Sequence, residues 1–147
     1  MADLPTTDVL LVEDSPADIY LIQRAVTEWG HNIRLWLVTN GLDALTFLRK
    51  DSFYLHAPSP ALILLDINLP RMHGTEALAE LRALPAYQTT PTIIFTSARQ
   101  DIEEEHCLQL GATAYVRKPL DYGGFLAAIR EIIDHWLPPE RAHLGSL

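Results

Sequence analysis

Residues 61–74 read ALILLDINLPRMHG, and the fold follows from how this stretch is read. Ala61–Leu65 is an unbroken apolar run, too short for a helix and apolar on both faces, as a strand inside a parallel sheet must be. It ends abruptly in Asp66. Asn68, Pro70 and Gly74 follow, residue types that bend a chain, with Pro70 and Gly74 shaping the loop that returns to a helix starting at Thr75. Strand, acid, loop and helix form one βα unit.

The same unit recurs on both sides. Val9–Val12, Ile33–Val38, Thr92–Phe95 and Ala112–Val116 are further short apolar runs rich in Ile, Leu and Val. The helices between them have readable ends. Ser15-Pro16-Ala17-Asp18 offers an N-cap, a proline at the first helical position and an acidic capping-box partner. Ile19, Ile22, Val26 and Trp29 then make an apolar stripe, and Gly30 is a stop. Further helices are expected from Leu42 to Arg49, from Thr75 to Leu84 before Pro85, and from Asp101 to Leu110 before Gly111. The last begins near Asp121 and carries Phe125, Ile129, Ile132 and Trp136 as a core stripe. Strand–helix alternation repeated five times predicts an α/β fold with a doubly wound parallel sheet. Right-handed crossovers favour the flavodoxin-like (βα)5 arrangement with strand order 2-1-3-4-5. Lys50–Pro60 is a long connection given an extended character by Pro58 and Pro60, and Pro138-Pro139 stop the last helix. One domain is expected over residues 1–147, with a core at about 8–136 and a tail at 137–147.

In such a sheet, ligands bind beyond the carboxyl ends of the strands, where the strand order switches. The first strand ends in Glu13-Asp14 and the third in Asp66, and these strands are neighbours at the switch. Three carboxylates in one crevice are costly unless a cation compensates them. The fourth strand ends in Thr96, a hydroxyl, and the fifth leads into Lys118-Pro119. These groups match the needs of phosphoryl transfer. Mg²⁺ takes hard oxygen ligands at about 2.1 Å and keeps waters, so a few carboxylates with a carbonyl suffice, and the backbone carbonyl of Asn68 is suitably placed. Asp66 can attack phosphorus to give an acyl phosphate. Lys118 supplies a point charge and Thr96 a hydroxyl for a phosphoryl oxygen. Alone, Thr96 can also be an ordinary β-branched strand residue, a reading that weakens beside Lys118-Pro119, and Glu13 can be simply solvated.

Composition narrows the alternatives. A formal net charge of −8 argues against a nucleic-acid binder, which needs a basic face. Cys107 is the only cysteine, so no internal disulfide forms and a reducing, cytoplasmic setting is expected. The polar Met1–Asp8 segment lacks the pattern of a signal peptide, and no apolar run is long enough to span a bilayer. Histidines 31, 56, 73, 106, 135 and 143 show no metal-ligand spacing and read as structural or solvated.

Four motifs in order, VLLVEDS at 9–15, LLDINLPRMHG at 64–74, IIFTSA at 93–98 and AYVRKP at 114–119, resemble the receiver domain of two-component response regulators over nearly the whole chain. The resemblance implies that Asp66 accepts a phosphoryl group from a phosphohistidine on a sensor histidine kinase. It implies that Glu13, Asp14 and Asp66 form the acidic cluster, with Asp14, Asp66 and the Asn68 carbonyl ligating Mg²⁺. Thr96 and Lys118 would contact the phosphoryl group, and Tyr115 would be the aromatic that turns inward with Thr96; as a residue, Tyr115 reads equally as simple packing. The family also implies a homodimer through the fourth helix, fifth strand and fifth helix, and a signalling phosphoacceptor that catalyses only its own modification. The Lys50–Pro60 connection and the Trp-Leu-Pro-Pro end resemble single-domain regulators of phytochrome-type kinases. Ala98, two residues past Thr96, leaves the lifetime of the acyl phosphate open.

Rival chemistries fit less well. A haloacid-dehalogenase-like phosphatase needs an acid at the position of Asn68. A flavodoxin-like phosphate cradle is incompatible with Glu13-Asp14-Ser15-Pro16, and no P-loop is present. The alternative is a receiver-like interaction module that works without phosphorylation, against which the complete set of acidic, hydroxyl and lysine positions stands.

Overall fold

The computed structural model describes residues 6–28, 32–97 and 101–137. Trp29, Gly30, Ala98, Pro138 and Pro139, which entered the sequence reading, lie outside these residues, as do His31, His143 and the expected tail beyond Leu137. Five parallel strands, β1 (Thr7–Val12), β2 (Ile33–Val38), β3 (Leu62–Leu65), β4 (Thr92–Thr96) and β5 (Ala114–Arg117), form one sheet in the order β2-β1-β3-β4-β5. The helices are α1 (Pro16–Glu28), α2 (Gly41–Leu48), α3 (Gly74–Ala83), α4 (Asp101–Gln109) and α5 (Tyr122–Trp136). This is the expected flavodoxin-like arrangement.

Alternate strand residues feed two cores, because successive side chains point to opposite faces of a sheet. Leu10, Val12, Ile63, Leu65 and Ile94 pack with Phe47, Leu78, Leu81 and Cys107 on the side of α2, α3 and α4. Val9, Leu11, Leu62, Leu64, Ile93 and Phe95 pack with Ile22, Val26, Phe125, Ile129 and Ile133 on the side of α1 and α5. The rings of Phe95 and Phe125 meet edge to face at 5.2 Å. Cys107 is fully buried, and burial pushes its thiol up to about 11. Among the described residues no helix is long and apolar enough to cross a membrane.

Three expectations need correction. Burial on both faces holds for β3 and β4, but β2 and β5 are the sheet edges and are largely half-exposed, with Leu37 39% exposed. The fifth strand starts at Ala114, not Ala112, because Gly111 (φ +107°) and the bond from the Ala112 N–H to the Cys107 carbonyl turn the chain out of α4 first. The long connection is not extended throughout. Lys50 leaves α2 in the left-handed region (φ 59°), a short 3-10 turn follows at Ser52–Tyr54, and the Tyr54 ring packs 5.0 Å from Phe47.

Helix starts are fixed by side chains the sequence reading passed over. Asn40 caps α2, its side-chain oxygen accepting from the Asp43 N–H at 2.8 Å. His73 caps α3, its Nδ1 accepting from the Thr75 N–H at 3.3 Å. A second tie runs between α2 and the segment after α3: the buried Tyr87 hydroxyl donates to the Leu48 carbonyl at 2.6 Å. Replacing Tyr87 by Phe strands that carbonyl in the core, so Tyr87→Phe is expected to lower stability by about 1–2 kcal/mol in urea unfolding. An unchanged midpoint would show that the bond contributes nothing net.

Candidate functional site

The strand register builds the site. Val12 pairs with Leu65 and with Val38, and the ladder runs one residue further on each side. The Asp66 N–H donates to the Val12 carbonyl and the Glu13 N–H to the Val38 carbonyl, both at 3.1 Å. Glu13 and Asp66 are therefore level at the carboxyl edge. One carboxylate oxygen from each of Glu13, Asp14 and Asp66 lies within 4.8 Å of the other two. Glu13 and Asp66 are buried, while Asp14 is exposed at the rim. An all-oxygen, triply acidic set of this size suits a hard divalent cation rather than a soft metal.

The loop after Asp66 is held tightly beneath it. Asp66 Oδ1 accepts from the Ile67 N–H at 2.7 Å, and the Gly74 N–H donates to the Ile67 carbonyl at 2.8 Å. A Cβ at Gly74 would lie 2.7 Å from Ile67 Cα and closer still to the Asp66 carbonyl oxygen, so only glycine lets α3 begin there. Asn68 is exposed in this loop.

Lys118 arrives from the other side of the sheet. Its backbone N–H donates to the Thr96 carbonyl at 2.8 Å, extending the pairing of β4 with β5. Its ammonium then reaches Asp18 Oδ2 at 2.7 Å, Glu13 Oε2 at 2.8 Å and Asp66 Oδ2 at 3.0 Å. Three donors meet three carboxylates, with the lysine side chain 6% exposed. Burial works to lower its basicity, but hydrogen bonds to Asp18 and Glu13 and the charges of Asp66 and Glu13 prevail, and Lys118 is held above its ordinary value. For Glu13 the balance falls the other way. Burial, aided by the Asp66 charge, outweighs the Lys118 contact and pushes its carboxyl up to about 7.

Thr96 is fully buried at the end of β4. Ile94 pairs with Tyr115 and Thr96 with Arg117, so Thr96 and Tyr115 belong to the same face of the sheet. Tyr115 is half-buried against the core on that face, and burial, with a smaller effect of Glu103, raises its hydroxyl. The structure thus brings Glu13, Asp14, Asp66 and Lys118 together, with Thr96 at the end of the adjoining strand.

Asp18 was missed in this role. The capping-box pattern predicts a reciprocal pair with Ser15, and half of it forms, since the Asp18 N–H donates to Ser15 Oγ at 3.3 Å. The reciprocal bond is replaced: the Ser15 N–H donates to Glu13 Oε1 at 3.1 Å, and the Asp18 carboxylate goes to Lys118. The available signal was positional, because the first turn of a helix that follows β1 opens onto the same edge as the strand ends.

A parallel five-stranded sheet with an acid cluster, a buried hydroxyl and a lysine at its carboxyl edge defines a receiver, and the chain belongs to the response regulator receiver domain family, whose model matches residues 9–130. Among curated proteins it is similar to the response regulator Rcp1 of Synechocystis sp., 32% identical over 133 residues covering 90% of each chain. Among solved structures it resembles the phosphorylated cyanobacterial phytochrome response regulator RcpA, with a TM-score of 0.87 at 31% identity over 90% of this chain and 95% of that one. It also resembles the Mn²⁺-bound form of Rcp1, with a TM-score of 0.85 at 31% identity over 89% and 94% of the two chains.

The raised Glu13 carboxyl gives a test in metal-free buffer. A carboxyl whose folded value lies above its unfolded one of 4.5 contributes most stability below that value and loses it as pH rises through about 7. Wild type measured against Glu13→Gln in urea should therefore lose ground between about pH 4.5 and 7. A difference flat across that window would mean that Lys118 fully neutralises Glu13.

Proposed function

We propose that this chain is a single-domain response regulator that accepts a phosphoryl group on Asp66 from a phosphohistidine of a sensor histidine kinase. The observation that carries the reading is the hold on Asp66: buried, level with Glu13, and bonded by one oxygen to the Ile67 N–H and by the other to Lys118. A carboxylate so fixed is aimed rather than merely solvated. In the transfer, an Asp66 oxygen attacks phosphorus, the P–N bond breaks, and the imidazole of the kinase takes the electron pair. The Lys118 ammonium and the Thr96 hydroxyl stabilise the phosphoryl oxygens. Asp14, Asp66 and the Asn68 carbonyl, with Glu13 behind them, would hold Mg²⁺, which supplies charge neutralisation at the phosphoryl oxygens.

Similarity to the Rcp1 and RcpA regulators along almost the full length of each supports a one-domain regulator and a phytochrome-type kinase as the phosphodonor; the cytoplasm is the setting we propose for it. Similarity to a Mn²⁺-bound relative supports the cation. We further propose that Thr96 moves toward the phosphoryl group and Tyr115 turns inward behind it, altering the surface of α4, β5 and α5, where two copies would pair. The shared face of Thr96 and Tyr115 supports this coupling. A regulator of one domain passes its signal by protein contact or onward phosphoryl transfer.

Incubation with Mg²⁺ and acetyl phosphate should add one phosphoryl group to the wild type, read by intact mass, and none to Asp66→Asn. Equal labelling of both ends the assignment of Asp66, and no labelling of either favours an interaction module that works unphosphorylated.

A further inference from the structure

Lys118 has one partner more than the proposed chemistry uses. Glu13 and Asp66 belong to the acid cluster, whose oxygens a divalent cation would draw upon. Asp18 does not belong to that cluster, yet it makes the shortest of the three contacts to the ammonium, 2.7 Å against 2.8 and 3.0 Å. It stands on a different element from all the others, the first turn of α1, where Ser15 fixes its backbone through the Oγ contact. Its side chain is 25% exposed, so it lies toward the mouth of the crevice, while Glu13 at 2% lies at the floor. The ammonium is thus suspended between a floor carboxylate, the acceptor and a mouth carboxylate.

We propose that Asp18 is a positioning residue that holds the Lys118 ammonium at the mouth side of Asp66, where a phosphoryl group arrives. Without it, Glu13 and Asp66 are the remaining charged partners, and the ammonium sinks onto them. There it competes with a divalent cation for the same oxygens and faces away from the incoming group. With it, Lys118 stays beside Asp66 when the cation takes its share of the acid cluster. The charge-assisted bond is strong enough to matter, since hydrogen bonds to charged groups contribute more than neutral ones and tenfold in rate needs only one such bond. This inference rests on the reading of Asp66 as phosphoacceptor.

The test uses the full chain with Asp18→Asn, which keeps the backbone bond to Ser15, and Asp18→Glu, which restores the charge. In Asp18→Asn, labelling of Asp66 by acetyl phosphate should slow about tenfold, Mn²⁺ affinity read by electron paramagnetic resonance should fall severalfold, and the Lys118 Nζ resonance in ¹⁵N NMR should move. Asp18→Glu should recover at least part of all three. A purely structural Asp18 would lower the melting temperature and leave the Lys118 resonance and Mn²⁺ affinity unmoved, which would overturn the proposal. Wild-type labelling rates in Asp18→Asn, beside a normally labelled wild type, would overturn the role of Asp18 alone. A wild type that takes no label on Asp66 would overturn the phosphoacceptor reading and this inference together.

Discussion

One buried ammonium answers for most of the acid at the carboxyl edge of this sheet. Glu13, Asp18 and Asp66 all lie within 3.0 Å of Lys118 Nζ, and Asp14 adds a fourth carboxylate close by. Gathering these groups is unfavourable, because the buried ones lose hydration and all of them repel one another. A single positive charge offsets only part of that repulsion. Glu13 shows the cost: burial, aided by the Asp66 charge, pushes its carboxyl up despite a 2.8 Å bond to the lysine. A site left short of positive charge attracts more of it, and a hard divalent cation meets that need with the ligand type on offer.

The rest of the fold keeps these charges from moving apart. The sheet is parallel and its order reverses at β1, so β1 and β3 deliver Glu13 and Asp66 side by side, while β5 must send Lys118 back across the end of β4. Phe95 lies beneath that path, with its ring centroid 5.9 Å from the ammonium and its edge packed against Phe125 of α5. Two separate cores clamp the sheet from both sides, and neither can relax without disturbing the register that levels the acids. Gly74 closes the loop on the third side. The crevice is therefore preorganised by packing, far from the charged atoms themselves.

This division explains what could be read from residues alone. Apolar runs ending in acids, a hydroxyl and a lysine carry their positions in one dimension, and a sheet order with few right-handed solutions turns those into neighbours. Edge exposure follows from the expected strand order, which sets β2 and β5 outermost, and the run Ile33–Val38, apolar but for Arg34, does not show it by itself. The caps Asn40 and His73 escaped because their signals are single polar residues beside stronger helix patterns. Asp18 escaped for a subtler reason. Its backbone does what a capping motif predicts, and that success hid a side chain pointing to a lysine one hundred residues away.

The placement of Lys118 also bears on how an event in the crevice reaches the surface. Arg117, Val116 and Tyr115 precede it on β5, an edge strand paired on one side only, to β4. The Lys118 N–H is bonded to the Thr96 carbonyl, so the two residues proposed to meet the phosphoryl group are already tied through their backbones. An acyl phosphate at Asp66, carrying about −2 where the carboxylate carried one, would pull both side chains inward at once. Strands β1, β3 and β4 are buried at their ends and have little room to answer. β5 has one open edge and a half-buried tyrosine on the face that Thr96 shares. The softest element joined to the crevice is thus the one whose outer surface a partner could read, and the same lysine that balances the resting acids is its point of attachment.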